Sequence, residues 1–287
     1  MKKIFLFLFT ITFIFSACRH NSVLTEISIS DETAESAYTK MLIPELDHGR
    51  AVFFELPTKE YVLADCGDAK DYPKLCELIR AFDISFIDYI ILTSEQPSSM
   101  GGIEKILSDF SVGEVCVSAH MKGTKAYHTI TAFAGQNGTD VSLADEGTRI
   151  YDYDNVFIDV ISSEKITTSA GAQTAMSIML THGSKKIFIE GPGDIVSENK
   201  TISGKSHELI SDILVIPTEA SEDIPGELFL QTVSPDYVLI PVYGGILPAN
   251  SLHDRLDKQG ITMLRTDNDG TLQFTFNGED YVCKKER

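Results

Sequence analysis

The stretch "TSEQPSSMGG" (93–102) leaves a strongly apolar run, "FIDYIIL", and enters a helix-like segment, "IEKILSDF". In α/β proteins, chemistry concentrates where a strand ends and a helix begins. This loop offers hydroxyls at Ser94, Ser98 and Ser99, an amide at Gln96 and one acid, Glu95, with neither histidine nor cysteine. Ser98–Ser99 is not framed as a nucleophile elbow, since no G-x-S-x-G surrounds it. "EGPGD" (190–194) is glycine-rich but lacks the Lys-Ser/Thr of a phosphate-binding loop, so it reads as a turn. No two of the seven histidines stand at i, i+2 or i, i+4, which removes a local zinc motif. His120, after a strand end, is the one worth testing, although such a residue is more often plain surface. Cys66, Cys76, Cys116 and Cys283 form no CxxC pair, and buried or occasional free thiols are the expectation, with a Cys66–Cys76 bridge as the alternative. Asp65 and Asp68 flank Gly67 at a strand end, a turn-forming arrangement.

The elements that must hold these residues follow from periodicity. "AVFFEL" and "YVLADC", separated by "PTKE", read as a hairpin. "KLCELIRAF" sets Leu75, Leu78, Ile79 and Phe82 at helical spacing, and Ile103, Ile106, Leu107 and Phe110 repeat that pattern after Gly101–Gly102. "GEVCVSA" is a strand and "TKAYHTITAFAGQN" a helix. Strands follow over 141–162, then a hairpin over 175–194. "DILVIPT", "DYVLIPV", "TMLRT" and "GTLQFTF" are further strands, interleaved with helices at "GELFLQTV" and "ANSLHDRLDKQG". Both halves mix hairpins with βα units. The expected fold class is therefore α/β, a sheet-rich sandwich with helices on its outer faces.

Residues 1–17 combine Lys2 and Lys3 with an unbroken apolar core and end in Ser16–Ala17 before Cys18. That is the layout of a secretory signal peptide, too short for a spanning helix of roughly 20 residues. Ser-Ala-Cys resembles a bacterial lipobox, which implies lipidation at Cys18. The expected organisation is a lipoprotein signal peptide over 1–18, a polar tether over 19–40 and a single domain over 41–287. The location expected is the extracytoplasmic face of a bacterial cell membrane. Formal net charge is −18, and loss of Lys2 and Lys3 with the leader makes the remainder more negative still. A field of that sign repels phosphate backbones, which argues against a general nucleic-acid binder.

Residues 45–276 resemble, in order and spacing, the metallo-β-lactamase fold, and within it the hydrolase-like domain of ComEC-type competence (DNA-uptake) proteins. The family's "DVGQGDA" is similar to "ELDHGRA" (45–51), its "LIDTG" to "LADCG" (63–67), its "NNSLVL" to "AMSIML" (175–180), and its tail to "LRTDNDGTLQF" (264–274). The resemblance implies an αββα sandwich. Its metal loop "LTHPHADHIGG" falls on residues 92–102, so Ser94, Gln96, Ser98 and Ser99 stand at ligand positions. The histidine of "VPHHGS" is matched by Thr218 and the next by Glu219. The bridging aspartate is matched by Pro192, or by Asp194 if the turn carries two extra residues. Asp65 matches an acid that braces the metal loop.

Family members use two zinc or manganese ions, held by imidazoles and carboxylates at about 2.0–2.2 Å. Neutral hydroxyls and an amide are poor ligands for such ions. No cofactor is expected on this ground, although Asp65, Glu95, Asp194 and Glu219 are acids that could gather at the old cleft and hold one Ca²⁺ or Mg²⁺. The expected function is that of a membrane-anchored binding or accessory protein, whose partner is an envelope protein or a small ligand in the cleft. The alternative is a divergent metal-dependent hydrolase, phosphodiesterase- or nuclease-like, with a rebuilt site.

Overall fold

The computed structural model describes residues 38–168, 171–203, 205, 207–217 and 223–287. The first half contains β1 (Thr39–Ile43), β2 (Val52–Glu55), β3 (Tyr61–Ala64), α1 (Tyr72–Ala81), β4 (Phe86–Leu92), α2 (Pro97–Met100), α3 (Ile103–Asp109), β5 (Ser111–Ser118), α4 (Lys125–Asn137) and β6 (Asp140–Ala144). The second half contains β7 (Arg149–Tyr153), β8 (Val156–Thr168), β9 (Gly171–His182), β10 (Lys185–Ile189), α5 (Ile195–Ile202), β11 (Ile213–Val215), α6 (Glu227–Val233), β12 (Tyr237–Ile240), α7 (Asn250–Gln259), β13 (Thr262–Arg265), α8 (Thr266–Asp269), β14 (Leu272–Phe276) and β15 (Tyr281–Lys285).

Among the described residues these strands form two sheets, ordered β15-β14-β1-β2-β3-β4-β5-β6 and β13-β12-β11-β10-β9-β8-β7. The strands from β3 to β6 run parallel, as do those from β10 to β13, and each parallel set continues into an antiparallel one. The predicted hairpin of β2 and β3 is present, with Phe53 opposite Leu63. Two elements exceed the expectation. β1 draws Thr39 and Lys40 into the sheet, ahead of the domain start expected at residue 41. α5 follows directly on the turn at 190–194.

Alternation along each strand sorts side chains between layers. Met41, Ile43, Phe54, Val62 and Ile91 point into the core between the sheets, where they meet Ile189, Val215 and Phe274. Their neighbours Leu42, Phe53, Leu63 and Ile90 point outward onto Leu75, Ile79, Ile103 and Ile106 of α1 and α3. The second sheet repeats this with Phe188, Leu214 and Val238 under Phe229 and Leu230 of α6 and Leu252 and Leu256 of α7. Burial on both faces is why these strands read as near-continuous apolar runs. The arrangement is an αββα sandwich, as expected. Among the described residues, no helix is long and apolar enough to cross a membrane.

Candidate functional site

The loop after β4 is pinned from below. Asp65, at the end of β3, accepts the Thr93 N–H at 2.8 Å and the Thr93 hydroxyl at 2.6 Å. Arg50 Nε donates to Asp65 Oδ2 at 2.8 Å, Nη2 donates to the Thr93 hydroxyl at 2.6 Å, and Nη1 donates to the Glu190 carbonyl at 3.2 Å. Arg50 and Asp65 are 3 % and 2 % exposed, so this ion pair lies in the interior and ties the end of β10 in one sheet to β3 and β4 in the other. Burial raises the Asp65 carboxyl, and Arg50 and Thr93 pull it back. Asp65 also takes a left-handed backbone, φ 62°, a conformation that Asp visits more readily than most residues.

Main-chain bonds complete the anchorage. The Arg50 N–H donates to the Ser98 carbonyl, Cys66 to Ser99, Gly102 to Gly67 and Met176 to Thr93. A Cβ on Gly49 would run into the Ser98 carbonyl, and one on Gly102 into the Cys66 carbonyl, so glycine at both places allows the loop to lie flat on its floor.

The predicted site residues separate on this frame. Ser94 is buried, forms a bridge with Ala175, and its hydroxyl accepts from the Gln96 N–H at 3.1 Å. Ser99 is buried too, while Gln96 and Ser98 are half-buried. Glu95 Oε1 accepts from the Thr174 N–H at 3.1 Å. Asp194 is exposed and caps α5, its Oδ1 accepting from Val196 and Ser197 at 2.9 Å. Thr218 and Glu219 lie outside the described residues. The acids are therefore committed to separate tasks: Asp65 to the ion pair, Glu95 to β9, Asp194 to a helix cap. Among the described residues, no group of three or more His, Cys, Asp or Glu side chains could hold a metal ion. His120 is a surface residue, 3.9 Å from Asp145. Cys66, Cys76, Cys116 and Cys283 are free, so the alternative Cys66–Cys76 bridge is not formed.

Three charged residues went unnoticed in the sequence. Arg50 is the floor of the loop. Glu190 ends β10 with its side chain buried, and Glu198, on the inner face of α5, is 2 % exposed. Glu198 Oε2 accepts from the Gly226 N–H at 2.8 Å. Burial pushes Glu198 up to about 7, helped by Asp194 and opposed by the Gly226 N–H and Arg255. Burial and the Glu198 charge push Glu190 well above the ordinary carboxyl range, against Arg50. A charge inside an apolar run, as in "GRAVFF" or "KKIFIEG", was the available signal.

Several solved structures share this arrangement of layers. YhfI from Bacillus subtilis, a metallo-β-lactamase fold protein, superposes with a TM-score of 0.54 over 83 % of this chain and 99 % of its own, at 13 % identity. The chain has the metallo-β-lactamase fold. PqqB from Methylobacterium extorquens, in a Zn²⁺-bound structure, gives 0.53 over 81 % and 99 % at 11 % identity. CmlA, a diiron β-hydroxylase from Streptomyces venezuelae, gives 0.52 over 82 % of this chain and 54 % of its own at 14 % identity, so the chain spans about half of CmlA. No protein-family model and no curated protein matches the sequence.

These neighbours correct one expectation, that the chain takes no cofactor. Proteins of the same fold carry a diiron centre or Zn²⁺, a range of metals wider than zinc and manganese. The four loop positions do not decide the matter, because ligands to a metal come from several elements of a fold. The described side chains at the loop do not by themselves make up a ligand set for such a centre.

Proposed function

We propose that this chain is a lipid-anchored extracytoplasmic protein whose metallo-β-lactamase-fold domain, ComEC-like in its sequence pattern, works by binding an envelope partner or a small ligand. The observation that carries the binding role is the Arg50–Asp65–Thr93 ion pair. It fixes the loop through a buried guanidinium that also reaches the opposite sheet. A loop held this way presents a rigid surface, which lowers the ordering cost of association. The residues it presents, Gln96, Pro97 and Ser98, are polar or small and suit contact more than proton transfer. The anchor rests on the leader and Cys18, and two acyl chains there would hold stably, at about 0.8 kcal/mol per buried CH₂.

The metal-bearing neighbours favour a second reading, a metal-dependent hydrolase with a rebuilt site. One experiment separates the two. The purified full chain, supplied in turn with zinc, manganese and iron, is screened against phosphodiester, ester and β-lactam substrates. The binding role expects no turnover above the metal-only blank. Turnover abolished by a chelator and restored by metal would replace it with the hydrolase. For the anchor, Cys18→Ala should move the protein from the membrane to the soluble fraction; unchanged fractionation would refute it.

A further inference from the structure

Behind the loop, under the turn that joins β10 to α5, lies a small cavity of about 10 Å³. Its polar lining comes from three directions: Ser162 on β8 and Ser177 on β9, Glu190 at the end of β10, and Ser197, Glu198 and Thr201 on α5. No lining side chain offers nitrogen or sulfur; the rest of the wall is apolar or glycine apart from Glu164, which pairs with Lys200 at 2.9 Å. Glu198 is 2 % exposed and uses one carboxyl oxygen on the Gly226 N–H. Its other oxygen, Oε1, is buried without a hydrogen-bond partner among the described residues. A buried carboxyl oxygen left without a partner is costly. Glu190, the second acid, faces the same space, and Arg50 is hydrogen-bonded to its main-chain carbonyl.

Two buried carboxyl groups and several hydroxyls around a space the size of one water make a site that attracts a cation. An oxygen-only lining selects a hard ion over zinc, copper or iron, which prefer imidazole or thiolate. Ca²⁺ would displace the protons that burial holds on these two acids, and the resulting carboxylates would balance its charge. Mg²⁺ keeps several of its waters, and this cavity has room for about one. Ca²⁺ accepts irregular shells of carboxylate, hydroxyl and carbonyl oxygens at about 2.3–2.6 Å. We propose that Glu190 and Glu198, with the hydroxyls around them, bind one Ca²⁺ behind the β10–α5 turn. The site adjoins the loop at 93–102 through Ala175, which bridges Ser94, but takes no side chain from that loop and does not depend on the binding role proposed for it. Its occupancy would tie β10 to α5 and hold the turn in place.

The test is calorimetric titration of the full chain in detergent, stripped with a chelator, with Ca²⁺ and then with Mg²⁺. Wild type should take up one Ca²⁺ and show at least tenfold weaker binding of Mg²⁺. Glu198→Gln keeps an acceptor for the Gly226 N–H and the side-chain shape, and should lower Ca²⁺ affinity at least tenfold; Glu190→Gln should do the same. Glu77→Gln, on the exposed face of α1, controls for general attraction to an acidic surface and should bind as wild type does. Circular dichroism establishes that each variant is folded, and either cavity variant alone suffices if the other is not. No Ca²⁺ uptake by wild type, equal affinity for Mg²⁺, or unchanged Ca²⁺ affinity in both folded cavity variants would overturn the proposal.

Discussion

Replacing Arg50 by methionine removes the cation from the floor of the loop while keeping much of its length and apolar stem. Asp65 would then be a carboxylate, 2 % exposed, with Thr93 as its remaining partner. Stranding one member of a buried pair typically costs about 3–5 kcal/mol. At roughly 2–4 °C per kcal/mol for a domain of this size, the melting temperature should fall by roughly 6–20 °C. Urea unfolding, followed by far-ultraviolet circular dichroism, reads the loss as a lower midpoint with an unchanged slope. The double variant Arg50→Met/Asp65→Asn tests the cause. With the charge gone from both sides, much of the stability should return, because replacing a whole buried pair is often close to neutral. The coupling in the double-mutant cycle should therefore be large and of opposite sign to the single losses. A single-variant cost below about 1 kcal/mol, or losses that simply add, would refute the claim that this ion pair holds the loop.

Gly49→Ala should destabilise by about 1–3 kcal/mol, since its methyl collides with the main-chain carbonyl of Ser98, which cannot swing away; equilibrium unfolding measures this. With chelator present, Glu198 should make stability fall as pH rises from about 4.5 to about 7, because the folded state holds its proton more tightly than the unfolded chain does. The displacement from an ordinary value of 4.5 to about 7 corresponds to something on the order of 3 kcal/mol, and Glu198→Gln should flatten this part of the pH profile of the urea midpoint.

Local pattern was enough for elements whose signals lie within a dozen residues. α7 was legible from its apolar spacing and from Gly260, which ends it in the left-handed conformation at φ 70°. The β2–β3 hairpin was legible from two β-rich runs around a turn. β1 was not, because what makes "TKMLI" a strand is its ladder with β14, over two hundred residues away, where Met41 meets Phe274. α5 hid because its two leading apolar residues, Ile195 and Val196, are exposed and break the expected stripe, even though Asp194 stood in place as its cap. The sandwich and the loop could thus be read, while the site's working charges could not. In a chain with 42 acids, Glu190 and Glu198 look like any solvated carboxylate until the third dimension removes the water from around them. Arg50 was lost the same way, since an arginine beside a strand carries no mark of the carboxylate it will meet.

The position of β1 has a mechanical consequence. The chain enters at Thr39, whose hydroxyl lies 3.0 Å from His182 Nδ1, close to the turns at Gly183 and Gly278. β1 then runs the depth of the sandwich, and Gly49 emerges beside Ser98 at the other end. The proposed tether upstream of Thr39 would therefore hold the end remote from the loop. A pull transmitted through that segment loads β1 along its length. Because β1 sits between β14 and β2, paired antiparallel to both, the load falls on two hydrogen-bonded ladders in shear at once, not on one peeled bond by bond. β1 is thus the strand best placed to bear tension without disturbing the surface at the far end.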